Sequence, residues 1–156
     1  MTSDSEALTG LWLANHRFFA VPPAPECEVK SHLIFQETTR FLDIYFGEKN
    51  PDFMPPIRLC GTPFRLAVWE ILKKIPYGKT TSYKAIAEQI ACNHPNRRMA
   101  CQAVGGAVGH NPVSILIPCH RVIGSDGALV GYGGGLDLKK RLLALENGKH
   151  QVTGYL

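Results

Sequence analysis

A capped, periodic segment between Thr62 and Gly78 sets the architecture of the second half of the chain. Thr62 is an N-cap candidate and Pro63 suits the first helical position, where its missing N–H costs nothing. Phe64, Val68, Ile71, Leu72 and Ile75 then share one face, and Pro76 and Gly78 stop the helix. A one-sided apolar helix must bury that face against other elements. The spacing predicts two more helices behind it. One starts near Ser82, with Ile86 and Ile90 inward. The other runs from about Arg97 to Val108. A turn through Asn93, His94, Pro95 and Asn96 separates them. The last of the three is rich in small residues (Ala100, Ala103, Gly105, Gly106, Ala107), which let another backbone come close. A final helix is expected over about Asp137 to Glu146. Leu138, Leu142 and Leu145 face inward, and Lys139, Lys140 and Arg141 mostly outward.

The first third reads differently. Leu8–Leu13 suggests a short strand, and Pro22, Pro23 and Pro25 a turn. From Ser31 to Phe46 the apolar residues Ile34, Phe41, Leu42 and Tyr45 recur at helical spacing, with Gly47 as the expected C-cap. Pro51–Pro56 reads as a loop or linker, and Ile57–Leu59 as a short strand. Charge changes at the same place. Residues 1–59 carry five Lys/Arg against eight Asp/Glu, a balance of −3; residues 60–156 carry twelve against five, a balance of +7. The expected organisation is a supporting domain over 1–59, a basic domain over 60–150 and a tail over 151–156. A basic remainder suits a polyanionic partner, although charge alone favours a solvated surface.

The five cysteines, Cys27, Cys60, Cys92, Cys101 and Cys119, form no C-x-x-C pair. Cys27 and His32 have loose ligand spacing, but no second pair completes a tetrahedral set, so no metal site is expected. An odd count and an acidic N-terminus without an apolar stretch lead us to expect free thiols, no signal peptide and a cytoplasmic location. No apolar run approaches the ~20 residues that span a bilayer, so no membrane partner is expected. The glycines of 124–127 and 131–135 match neither a phosphate loop nor a dinucleotide fingerprint.

Chemistry concentrates in Asn111–Ile123. A short apolar run is stopped by Pro118, and Cys119 and His120 follow directly. A strand end followed by a turn would hold the thiol rigidly at a cleft. Thiolate is the nucleophilic form, and an ordinary thiol is mostly protonated at neutral pH. An adjacent imidazole can take the proton; neighbouring side chains often point apart, which favours a water relay. A carboxylate behind His120 would fix its tautomer, and the chain offers Glu146 or Asp137.

Ile117-Pro-Cys-His-Arg-Val122 resembles the active-site motif of the 6-O-alkylguanine-DNA alkyltransferases, also called methylated-DNA–protein-cysteine methyltransferases. The resemblance extends from about Thr62 to Gly148. It takes in Thr81-Ser-Tyr83, Ala103-Val-Gly-Gly-Ala107, Asn111-Pro112, Gly131-Tyr132 and Leu142-Leu-Ala-Leu-Glu146. Leu8-Thr-Gly-Leu-Trp12 resembles the family's N-terminal domain more weakly.

That resemblance implies an α+β protein. A small α/β, ribonuclease H-like domain would precede a mainly helical, winged helix-turn-helix-like domain carrying the cysteine. It implies a monomeric, single-turnover repair protein without a cofactor. Such a protein binds duplex DNA, flips out 6-O-methylguanine and moves the alkyl group irreversibly onto itself. Whether 4-O-methylthymine is also a substrate stays open. By motif position Cys119 is the nucleophile, His120 the base acting through water, Glu146 its orienting partner and Asn111 the brace of the turn. Tyr83 sits by the flipped nucleotide and hydrogen-bonds the leaving guanine. Val108, Val122, Tyr132 and Gly133 would shape the base pocket. Gln102, Ala103, Gly106, Arg97, Arg98 and Arg121 would face DNA.

Three departures accompany the match. Gln102 stands where the family commonly has an arginine, the turn between Tyr83 and Gln102 is longer, and the hairpin before Leu8 is absent or shortened. Two other readings compete: a helix-turn-helix module that binds damage or regulates without transfer, and a thiol hydrolase using Cys, His and Glu.

Overall fold

The computed structural model describes residues 1–4, 6–13, 33–92 and 100–148. Their order is β1 (Thr2–Ser3), β2 (Leu8–Gly10), α1 (Leu33–Phe46), α2 (Pro63–Lys73), β3 (Thr81–Ser82), α3 (Tyr83–Cys92), α4 (Cys101–Gly109), β4 (Val122–Ile123) and α5 (Leu136–Glu146). The fold is α+β, with helices carrying most of the core. β1 pairs antiparallel with β2, Thr2 opposite Gly10. β3 pairs parallel with β4, Thr81 opposite Val122. The Pro-rich turn, Cys27, His32, the turn at 93–96, Arg97, Arg98 and the tail at 151–156 lie outside the described residues.

Local chemistry explains the helix ends. The Thr62 hydroxyl accepts the Arg65 N–H at 3.3 Å, the expected cap on α2. Ser82 does the same for α3, accepting from Ala85 N–H at 3.0 Å. Gly47 is not the left-handed residue that ends α1. Its N–H still bonds Asp43 O, and Glu48 takes the positive φ of 63°. Glu48 N–H then meets Tyr45 O and Lys49 N–H meets Ile44 O, which closes the helix. Described α4 starts at Cys101, later than its spacing predicts, because Ala100 is already extended at ψ 131°. Ile57–Leu59 is no strand; Ile57 makes a single parallel bridge to Leu8.

One buried apolar cluster runs from Leu8, Leu11, Phe41 and Tyr45 through Val68, Trp69, Leu72 and Ile86 to Val104, Ile117 and Leu142. It crosses the position where the charge balance changes. α4 packs on α2 and α3. Trp69, 2% exposed, projects from α2 and donates its indole N–H to Ala107 O at 2.9 Å. That carbonyl lies in the last turn of α4, where a helix cannot satisfy its own acceptors. The N-terminal segment reaches the same region through its backbone. Leu11 N–H bonds Pro112 O, and Ser114 N–H bonds Leu11 O, each at 2.8 Å.

Trp69→Phe keeps most of the buried ring and strands the Ala107 carbonyl. It should cost about 1–3 kcal/mol of unfolding free energy in denaturant titration. A loss indistinguishable from zero would show that this bond does not anchor α4.

Candidate active site

The segment 111–118 is not a strand ending in a turn, as its apolar run suggests. It is a chain of tight turns. Ile115 has φ 70°, a conformation that β-branched residues rarely take. Leu116 N–H bonds Ser114 O at 2.9 Å, and Cys119 N–H bonds Ile117 O at 2.8 Å. Asn111 bonds across these turns. Its amide Nδ2 donates to Ile117 O at 2.8 Å, and its Oδ1 accepts Val113 N–H at 3.0 Å. The same Nδ2 lies 3.1 Å from Cys119 Sγ, so the brace also solvates the sulfur.

Cys119 opens a single 3-10 turn, Cys119–Arg121, and is 3% exposed. Burial pushes its thiol pKa up, while the Asn111 amide, the Lys139 charge and the N–H groups of Cys119 and His120 pull it down. Burial prevails, so the resting group is a thiol that needs a base. His120 is fully buried, and burial pushes its pKa down, with Glu146 opposing. It rests as neutral imidazole. Its Nε2 lies 2.7 Å from Glu146 Oε1, and only an N–H can face a carboxylate oxygen so closely. Nε2 therefore carries the proton and Nδ1 the lone pair. Among the described residues Nδ1 has no hydrogen-bond partner.

The two carboxylates left open by the sequence now separate. Asp137 is exposed on the first turn of α5, whereas Glu146 ends that helix with its side chain buried. Arg121 donates from Nε to Glu146 Oε2 at 2.9 Å and from Nη2 to Oε1 at 2.9 Å. Gly78 N–H reaches Oε2 at 3.0 Å. Gly78 has φ 69°, and a Cβ there would press to 3.2 Å on Glu146 O, so glycine is needed at this donor. Burial pushes the Glu146 carboxyl up, but the bonds from His120 and Arg121 outweigh it and hold the pKa at about 2. Arg121 was expected to face DNA. Its guanidinium instead turns inward, onto Glu146, Ile75 O at 2.6 Å and the Tyr77 ring.

In front of Cys119 lies a cavity of about 560 Å³ between α4 and the glycine loop. Of the expected pocket and DNA residues, Tyr83, Gln102, Gly106, Val108, Tyr132 and Gly133 line it; Ala103 and Val122 do not. Gln102, Ala103 and Gly106 form an exposed face of α4, and a Cβ on Gly106 would meet nothing within 4 Å. Tyr83 donates its hydroxyl to Val130 O at 3.1 Å or Gly131 O at 3.3 Å. Burial, and next the charge on Cys119, push its pKa up to about 12, so it stays a donor.

Two residues escaped the sequence reading. Lys139 is not outward: it is fully buried, and its Nζ donates to Val122 O at 2.6 Å and Val130 O at 2.8 Å. It ties β4 to the pocket loop. Desolvation lowers its pKa to about 8, with Cys119 pulling the other way. Tyr45, read only as a core position of α1, places its hydroxyl 2.8 Å from Glu146 Oε1. A lysine inside a charged run and a tyrosine inside an apolar stripe give no local signal of these roles. Among the described residues no group of three His, Cys, Asp or Glu could hold a metal ion, and no helix is long and apolar enough to cross a membrane.

The chain is similar to known proteins. Residues 63–148 match the family model of the 6-O-methylguanine DNA methyltransferase DNA-binding domain. The chain is 50% identical over 118 residues to the methylated-DNA–protein-cysteine methyltransferase of Mycobacterium leprae, covering 76% of this chain and 67% of that protein. To the protein of the same name from Mycolicibacterium paratuberculosis it is 52% identical over 105 residues, covering 67% and 61%. The matched stretch thus spans 61–67% of the length of these two relatives. The fold is similar to that of Mycobacterium tuberculosis OGT, crystallised in complex with DNA, with TM-score 0.81 and 38% identity over 95% of this chain and 85% of that one. A buried thiol, its neutral imidazole and the carboxylate behind it thus stand inside a matched family domain, and the chain belongs to the methylated-DNA–protein-cysteine methyltransferases.

Proposed function

We propose that this protein repairs DNA by direct reversal, moving the alkyl group of 6-O-alkylguanine in duplex DNA irreversibly onto Cys119. The observation that carries the reading is a buried thiol at the back of an open cavity, with a neutral, carboxylate-anchored imidazole next to it. The thiol proton passes to His120 Nδ1 through a water, leaving the electron pair on sulfur. Sulfur attacks the alkyl carbon, an S–C bond forms, and the C–O bond breaks with its pair going to the guanine oxygen. The Tyr83 hydroxyl turns from the loop carbonyls to hydrogen-bond the departing guanine. The proton held by His120 balances the charge. Nothing regenerates a thioether, so each chain acts once.

Base delivery fits the exposed face of α4. Small residues let it approach a groove closely, and Gln102 at the cavity mouth can fill the space of a flipped base. Glutamine hydrogen-bonds there without adding charge, so the +7 of residues 60–156 must attract the phosphates from elsewhere. Arg97 and Arg98 remain candidates for that role. We read α3 and α4 as the helix-turn-helix, the β3–β4 pair as its wing, and residues 1–59 as the ribonuclease H-like support. The protein acts as a monomer in the cytoplasm, where free thiols persist.

Incubation with excess duplex containing 6-O-methylguanine should add about 14 Da, one methylene, to each intact chain, and Cys119→Ser should add nothing. No mass gain, with salt-sensitive binding that survives Cys119→Ala, would identify a damage-binding module instead. Repeated turnover on an acyl substrate would identify a hydrolase.

Glu146 also carries stability. Its pKa of about 2 lies below the ordinary 4.5, so its contribution is complete above pH 4.5 and is lost as pH falls towards 2. Glu146→Gln leaves Arg121 buried without a counter-charge and should lower unfolding free energy by about 3 kcal/mol or more near pH 7. The variant and wild type should converge as pH falls through that window. Equal stability at pH 7 would contradict the pairing.

A further inference from the structure

Tyr45 stands far from the site in sequence, 75 residues before His120 and 101 before Glu146. It belongs to α1, in the acidic first third, yet its ring is 1% exposed and packs edge-on to His120 at 6.3 Å between centroids. Its hydroxyl is 2.8 Å from Glu146 Oε1 and 3.2 Å from His120 Nε2. Oε1 accepts only, so the hydroxyl donates to it. The same oxygen takes the His120 Nε2–H at 2.7 Å and an Arg121 N–H at 2.9 Å. Oε2 is occupied by Arg121 Nε–H and Gly78 N–H. The donors thus converge from α1, the Cys119–Arg121 turn and the loop after α2. Tyr45 is the one neutral side-chain hydroxyl among them.

We propose that Tyr45 is a positioning residue of the alkyl transfer: its hydroxyl holds the Glu146 carboxylate on the imidazole, so that His120 keeps Nε2–H inward and Nδ1 open to the Cys119 proton. The inference rests on the proposed reaction, in which His120 is the base. A carboxylate oxygen shared among several donors gives less charge to each. The Tyr45 hydroxyl therefore also restrains how strongly Glu146 stabilises imidazolium. Burial, and then the Glu146 charge, push the Tyr45 pKa far up, so this donor is present at every working pH. The other groups acting on the imidazole are Glu146, Arg121 and Lys139, with Cys119 adjacent and Tyr77 beyond Tyr45. The charged ones remain in place when only the hydroxyl is removed. The consequence has a sign. Without the hydroxyl, Oε1 is less precisely placed but offers more of its charge to His120, so imidazolium is stabilised and the base is lost at a higher pH.

The test is the single-turnover transfer rate of Tyr45→Phe on methylated duplex between pH 5 and pH 8, beside wild type and Cys119→Ser. Phenylalanine keeps the ring, so packing is conserved. The rate at neutral pH should fall about tenfold, and the midpoint of the acid limb should rise by about one pH unit, the equivalent of one charge-assisted hydrogen bond. 3-Fluorotyrosine at position 45 keeps the hydroxyl and makes it a stronger donor. It should preserve transfer and move the same midpoint down. A wild-type rate with an unmoved limb in Tyr45→Phe overturns the inference. So does a slower or less stable variant whose midpoint has not moved, since that is a packing effect alone. If Tyr45→Phe does not fold, the fluorotyrosine shift decides. Absence of transfer by wild type itself would instead overturn the proposed reaction.

Discussion

The Glu146 carboxylate is the interaction on which the rest depends. It is buried at the end of α5 and takes hydrogen bonds from Arg121, His120, Gly78 N–H and Tyr45. A charge in a low-dielectric interior is costly unless it is paired and every lone pair is used. Here the compensation comes from three stretches of chain outside α5, so the carboxylate can be buried with its charge only when the fold has assembled. Orienting the His120 imidazole and closing the core are one event.

A second constraint is the backbone around Cys119. The turns at 111–118 hold Ile115 at φ 70°, and Asn111 and Leu11 supply the bonds that keep it there. Strain of this kind persists only where the surroundings over-determine it. It places the sulfur against the Asn111 amide and the cavity, while the next residue turns its imidazole back to Glu146. Lys139 then fixes the other wall by tying β4 to the glycine loop. The thiol is therefore kept protonated by burial and surrounded by groups that favour its anion, a combination that withholds reactivity until the proton is removed.

Much of this was legible in the chain. Thr62 and Pro63 announce α2 because caps are local chemistry, and Cys119-His120 after Pro118 marks the reactive turn. The order of blocks from Tyr83 to Glu146 carries the family. What could not be read depends on distance or on the sum of the fold. Nothing near Tyr45 distinguishes it from a core tyrosine, because its partners are 75 and 101 residues away. Lys139 shares a charged run with Lys140 and Arg141, and only the loop carbonyls make its burial tolerable. Arg121 beside a DNA-binding motif suggests phosphate contact, but the buried carboxylate claims it first. Ile115 looks like part of a strand because its φ is imposed by Asn111, not by its neighbours.

Glu146 holds a neutral His120 with the proton on Nε2 and the lone pair on Nδ1. Nitrogen-15 NMR of the His120 ring across pH tests it directly. The expected result is an Nε2–H tautomer at neutral pH and a titration midpoint below the ordinary 6.5. An Nδ1–H tautomer, or a midpoint at or above 6.5, would contradict it.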